Sequence, residues 1–436
     1  MEKKKYPKIL MISGYSMDMD NATAITLRNL FVDIPAENIM QIVAQTNIQP
    51  QSKLAIKTLT LTPDKIFPLN WYQKLRKNKI PKKGVISIVP GLSGARGVKS
   101  RASLFFYVAA YLNVFGYTID KSLRKEVEKF SPDLIYTLLG NEYIMKLVNK
   151  ISSIYKLPII PHFMDDWPGT RFSNNIFLAP IRKYSMGLLK KILNRSSICL
   201  TISKKMADEY EKKFSKKCLP LMNCVQIDEK LSFADINSAE KVFIYTGGLH
   251  LYRWESLLLV SEAIEKLASE GCDIKFEIYT MENDTTAYSH YFDNSKHTIF
   301  CSRLTPEALN KQLKTAFACI HAESFDSKAK EYTRLSISTK IPEYMAAARP
   351  IIAIGPKDIA SIEHIIDNSC GLYCDASSED IYEKIKLLIN DEILYENISS
   401  SCWATANKYH SAKEQGEILI DSLRKSIENK INYRDY

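Results

Sequence analysis

Apolar runs without polar alternation recur along the chain, and most are followed by a stretch of helical period. KILMIS (8–13) predicts a strand and TAITLRNLF after it a helix; DLIYTLL (133–139) and NEYIMKLVNKISSIY repeat the pair. LPIIPHF (157–163) and SSICLTIS (196–203) are further strands, the second leading into the helical KKMADEYEKKF. Beyond them come KVFIYTG (241–247), followed by the helical SLLLVSEAIEKLASE, then IKFEIYT (274–280), ACIHAES (318–324) and RPIIAIG (349–355). A strand that is apolar at every position is buried on both faces, and strands separated by helices are joined by crossovers. The pattern therefore predicts parallel sheets covered by helices, with ligands at the carboxyl ends of the strands. Between 219 and 240 the periodicity stops in the polar LPLMNCVQIDEKLSFADINSAE. A domain boundary belongs there, giving two doubly wound α/β domains, 1–222 and 223–400, with helices over 401–436.

Composition adds little until charge is placed. At 436 residues, 46% hydrophobic and 25% charged, the chain fits a folded protein of two or three domains, and wholesale disorder is excluded. The net charge of +10 is local: residues 65–119 carry ten basic side chains and no acidic one, which equals the excess of 59 basic over 49 acidic residues. Within that segment, 102–119 lacks charge. Leu104, Phe105, Val108, Tyr111, Leu112 and Phe115 follow helical spacing there, after Arg96, Lys99 and Arg101. An apolar face beside a cationic flank suits an anionic lipid surface; an internal helix with a solvated basic loop fits the pattern equally well. Nucleic acid is suggested by charge alone, without a recognised module or interleaved aromatics, and is set aside. The start holds no run long enough for a signal-peptide core, and the nine cysteines show no CxxC pair. Both point to free thiols in the cytoplasm, with no metal site.

Four clusters could carry chemistry. In YTGGLHLYRW (245–254) a strand ends at Gly247 and Gly248 and a helix begins near Trp254; its amides and Arg253 could meet phosphate, or the segment is a tight turn with a surface arginine. In SISTKIPEYMAAARPIIAIGP (336–356), Ser338 and Thr339 are expected N-caps, with Pro342 in the first turn. Lys340 and Glu343 stand at the same helix start, and the strand after it ends at Gly355. There a carboxylate can hold ribose hydroxyls while a lysine faces phosphate; a capping box is the plainer reading. PHFMDDWPGT (161–170) brings His162, Asp165 and Asp166 toward one strand end, where the histidine could equally be a core residue and the aspartates helix caps. In GYSMDMDNATAITL, Gly14 permits close approach to a ligand, Asn21 or Thr23 caps the helix, and the Asp18–Asp20 pair lacks companions for a metal.

Together these motifs resemble the large retaining family of glycosyl transferases group 1, especially bacterial members that build capsule, exopolysaccharide and O-antigen. GGLHLYRW, STKIPEYMAAARPIIAIGP and DDWP carry the resemblance, and 40–125 contributes least. It implies a GT-B fold, two Rossmann-like domains facing across a cleft, with the terminal helices returning to the first domain. It implies transfer of a sugar from a UDP- or GDP-linked donor, with no further cofactor, to a glycan or lipid-diphosphate-linked acceptor at the inner face of the cell membrane. Arg253 stands at the family's diphosphate-binding lysine and Glu343 at its ribose glutamate, while Gly248 and Leu335 replace its arginine and its other glutamate. Met164–Asp165 stands at its His-Asp pair, which leaves His162 as the displaced histidine. The resemblance thus places Asp165, His162, Arg253 and Lys340 in catalysis. Gly14, Asp166, Gly247, Gly248, Ser338, Thr339, Glu343 and Gly355 join Arg253 and Lys340 in binding substrate. A GT-B-like sugar-nucleotide epimerase and a non-catalytic binding protein of the same fold stay open beside it.

Overall fold

A computed structural model describes residues 6–19, 21–44, 54–61, 111, 117, 119–173, 175–227 and 240–429. Most of the basic and apolar segment 65–119 lies outside the described residues, as does Asp20. The chain divides into two compact units. The first runs to Leu221 and takes in the C-terminal segment from Gly416; the second spans Met222–Gln415.

The first unit is built on a seven-stranded sheet in the order β3-β2-β1-β4-β5-β6-β7, with every pairing parallel. Its strands are β1 (Ile9–Ser13), β2 (Ile39–Ala44), β3 (Lys57–Leu61), β4 (Leu134–Leu138), β5 (Ile159–Phe163), β6 (Cys199–Thr201) and β7 (Cys218–Pro220). The central strands β1, β4 and β5 are buried at every residue, as their unbroken apolar runs predict. Helices Ala22–Leu30, Lys121–Phe130, Glu142–Tyr155, Ala179–Leu193 and Lys204–Phe214 join the strands. Side-chain caps set several starts: Asn21 accepts from the Ala24 amide at 2.9 Å, Asp120 from Leu123 at 2.8 Å and Ser203 from Met206 at 2.9 Å. The helix Ala412–Glu428 begins in the second unit and continues into the first, where Ser426 meets Ser197, Oγ to Oγ, at 2.8 Å.

The second unit holds a six-stranded parallel sheet in the order β10-β9-β8-β11-β12-β13. Its strands are β8 (Lys241–Thr246), β9 (Ile274–Thr280), β10 (Thr298–Ser302), β11 (Ala318–Ala322), β12 (Ile351–Ile354) and β13 (Gly371–Cys374). Helix Arg253–Ser269 follows β8, and Ile341–Ala346 precedes β12. One continuous core joins Phe243, Leu257, Ile278, Ile320, Met345 and Ile352 through the sheet and its covering helices.

Five strands escape the apolar-run pattern: β2, β3, β7, β10 and β13. Four of these are the edges of the two sheets. Edge strands are covered on fewer sides, and β3 and β10 are accordingly part-exposed along most of their length. Threonines and a lysine can stand there, and the apolar signature is lost.

Candidate functional site

In an open parallel sheet the ligand crevice opens where the strand order reverses. In the second unit that point lies between β8 and β11. The loop after β8 carries Gly247 with φ at +151°, then Gly248, and then two non-glycine residues in the left-handed region, Leu251 and Tyr252 at +61° and +60°. Such residues cost about 1–3 kcal/mol each and gather at binding sites. Arg253 opens the helix that follows. Its guanidinium forks onto Glu323, just past the end of β11, with Nη2 at 3.1 and 3.3 Å and Nε at 3.3 Å from the carboxylate oxygens. Burial lowers the arginine's pKa most, but the Glu323 charge, Tyr245 and the hydrogen bonds to Glu323 together outweigh it and hold the pKa above its usual value.

Glu323 is almost wholly buried, at 3% exposure. Its amide donates to the Ile354 carbonyl at 2.8 Å, and its own carbonyl accepts from Ser256 Oγ at 2.8 Å. A β-carbon on Gly355, whose φ is +150°, would sit 2.8 Å from Glu323 Cβ, so Gly355 leaves room for Glu323. His321, two residues earlier on the same face of β11, brings Nε2 within 3.6 Å of Glu323 Oε1. Burial lowers its pKa to about 4, and it is therefore neutral at pH 7. On the other side of the loop, Asp284 Oδ2 accepts from the Leu249 amide at 2.8 Å, and Tyr245 donates to the Gly248 carbonyl at 2.8 Å.

A second ion pair stands at the start of helix Ile341–Ala346, with Lys340 Nζ 3.3 Å from Glu343 Oε2. Burial raises the Glu343 pKa, and Lys340 and Arg303 pull it back. The helix is held against the end of β8 by Tyr344, whose hydroxyl accepts from the Thr246 amide at 2.9 Å.

The first unit reverses its strand order between β1 and β4. Around the ends of β1, β4 and β5 stand Gly14, Tyr15, Tyr143, Asp165 and the buried Glu142, paired with part-buried Arg171 at 2.8 Å. Glu142 also accepts from Ser185 Oγ at 2.6 Å. Asp165 is half-buried; desolvation, reinforced by the Asp166 charge, raises its pKa to about 6. Burial, and then the Asp165 charge, raises Tyr15 in turn.

No family model matches the sequence, and neither does any curated protein. Solved structures do. HepE from Anabaena, in complex with UDP and glucose, aligns at TM-score 0.63 over 96% of this chain and 100% of its own, with 11% identity. Sucrose-phosphate synthase from Thermosynechococcus elongatus aligns at 0.63 over 96% and 98%, with 12% identity. A glycosyltransferase from Rickettsia africae aligns at 0.60 over 98% and 100%, with 13% identity. The fold is GT-B.

On this GT-B chain the sequence-derived residues fall into three groups. Arg253, Gly247, Gly248 and Gly355 gather at the second unit's reversal point, whereas Lys340 and Glu343 form their own pair at the start of helix Ile341–Ala346. Gly14 and Asp165 stand at strand ends of the first unit. A Cβ on Gly14 would meet only Ile144 Cδ1, at 3.5 Å, so packing does not demand this glycine.

Several expectations are corrected. His162 does not share a ligand-facing edge with Asp165. It is buried within β5, with Nδ1 at 2.6 Å from the Tyr136 hydroxyl and Nε2 at 3.2 Å from the Leu221 carbonyl, and burial lowers its pKa to about 3. The strand ends at Phe163, one residue before Met164. Asp166 is a cap, accepting from the Gly169 amide at 2.9 Å and from Tyr210 Oη at 2.6 Å. Ser338 and Thr339 are not N-caps of helix Ile341–Ala346, because Lys340 holds that position without a side-chain bond. Ser338 instead accepts from the Lys340 amide at 3.4 Å, and Thr339 lies in the turn before it. The Gly247 amide donates to the Tyr279 carbonyl and the Leu249 amide to Asp284, so neither is open to an anion in this arrangement.

Sequence spacing does not single out Glu323 or Asp284. The signal for Glu323 lies in ACIHAES, where histidine and glutamate alternate at the end of an otherwise apolar strand.

Proposed function

We propose that the protein is a glycosyltransferase that moves a sugar from a UDP- or GDP-linked donor to a hydroxyl of a glycan or lipid-linked acceptor, with retention at the anomeric carbon. The reading rests on one observation above the rest: Arg253, fixed by a buried carboxylate at the reversal point between β8 and β11, where this fold presents a ligand. Nε and Nη2 are committed to Glu323, which leaves the two N–H groups of Nη1 outside the fork. A cation held in this way stabilises the charge that grows on a departing diphosphate, and one well-placed donor contributes about 2.7–4 kcal/mol to such a step. Lys340 supplies a second cation, and Glu343 a carboxylate suited to ribose hydroxyls. Asp165, its pKa raised to about 6 by burial, is a group in the first unit suited to accept a proton from the acceptor hydroxyl. No further cofactor enters this scheme.

HepE was solved with UDP and glucose, and MnaA of S. aureus with UDP at TM-score 0.52 and 13% identity. WaaG, aligned at 0.53 with 9% identity, is a glycosyltransferase of lipopolysaccharide biosynthesis. These neighbours favour a nucleotide-sugar donor and a surface polysaccharide as product. The basic segment 65–119 favours work at an anionic membrane, on its cytoplasmic face. Among the described residues no helix is long and apolar enough to span one. Leu335, buried where the resemblance expects a glutamate, favours a non-catalytic binding protein as the second reading. A panel of UDP- and GDP-sugars, assayed for binding and for slow release of free sugar, separates the two. Donor turnover that is lost in R253A supports the transferase; binding without turnover of any donor supports the second reading.

A further inference from the structure

Resting on the nucleotide-sugar reading, the geometry points to Glu323 as the positioning residue that presents Arg253 to the donor phosphates. A buried ion pair contributes little to stability by itself, because desolvating two charges offsets most of their attraction. Here the structure goes to some length to keep one. The Glu323 backbone is tied to β12 through Ile354 and to helix Arg253–Ser269 through Ser256. Gly355 supplies the space that its Cβ occupies. The carboxylate fixes both Nε and Nη2, so the guanidinium plane is set and the long arginine side chain loses its rotamer freedom before any ligand arrives. Neutral His321, beside Oε1, brings no charge to compete with Arg253 for the carboxylate. Glu323 itself has only 3% of its surface exposed, which leaves it no route to a ligand except through the arginine.

If Glu323 acts through Arg253 alone, its effect must vanish when Arg253 is absent. The experiment is a double-mutant cycle on UDP and GDP binding by calorimetry, using wild type, E323Q, R253A and R253A/E323Q, with the thermal midpoint of each recorded. E323Q keeps the size of the side chain and removes its charge. The expected result is about a 10- to 100-fold loss of affinity in E323Q and in R253A, with no further loss in the double variant. E323D, which restores the charge one methylene back, should recover part of the loss. A merely structural role would lower the thermal midpoint of E323Q and leave affinity unchanged, or would give losses that add in the double variant, and either outcome overturns the inference. Wild type that binds neither nucleotide overturns the underlying reading along with it, whereas wild type that binds as well as E323Q overturns the inference alone.

Discussion

His162 offers a sharp test of the placement in the first unit. Its ring is buried, both nitrogens are engaged, and desolvation lowers its pKa from 6.5 to about 3. A depressed pKa means that the unfolded chain binds a proton the folded chain refuses. Stability is therefore fully present above the unfolded value of 6.5 and is lost as pH falls toward 3. The loss is about 1.4 kcal/mol per pH unit, so at about pH 4.5 this one residue removes roughly 2.7 kcal/mol. Other groups titrate in the same range: His321, His364 and His410 act in the same direction, and Asp165, with its raised pKa, acts in the opposite one. The difference between wild type and H162Q cancels that background, since glutamine does not titrate. Urea unfolding from about pH 7 to 4.5 should show H162Q losing stability less steeply, by about 1.4 kcal/mol per pH unit below 6.5. Equal slopes, or a His162 ring proton that titrates near 6.5 by NMR, would refute the burial argument.

Further outcomes follow from the same geometry. Removing Arg171 leaves Glu142 buried without its cation, so R171A should cost about 3–5 kcal/mol in the unfolding transition of the first unit, while R171A/E142Q recovers part of it. If Asp165 takes the acceptor proton, turnover should fall as pH drops through about 6, and D165N should lower the rate about 10²–10⁴-fold and flatten the profile. The basic segment 65–119 should make the protein sediment with acidic but not neutral vesicles, and salt should release it; equal recovery with both at low salt would contradict the membrane assignment.

What the sequence discloses follows burial. β1, β4, β5, β8, β11 and β12 occupy sheet interiors, are mostly apolar and are therefore visible as runs, whereas β2, also interior and buried at every residue, is interrupted by Gln41 and escapes. The edges β3, β7, β10 and β13 answer to no demand for full burial and escape too. The reversal points were legible only in part. Gly247, Gly248 and Arg253 announce a strand–loop–helix junction, yet Glu323 is distant in sequence, and only the parallel crossover brings β11 beside β8. His162 shows the opposite failure: a histidine at a strand end suggests chemistry, and its hydrogen bonds to Tyr136 and Leu221 show a buried residue with its polar atoms satisfied. Ser338 and Thr339 look like caps because the sequence carries both a hydroxyl and a proline start. The turn of residues 339–340 instead puts Lys340 at the cap and leaves its ammonium beside Glu343.

Titrating the intact protein with UDP and GDP, and repeating the titration with R253A, shows whether the second unit holds a nucleotide diphosphate at Arg253. Wild type should bind one nucleotide saturably, and the variant should bind it at least about tenfold more weakly. Identical binding by the two proteins would contradict a site at Arg253.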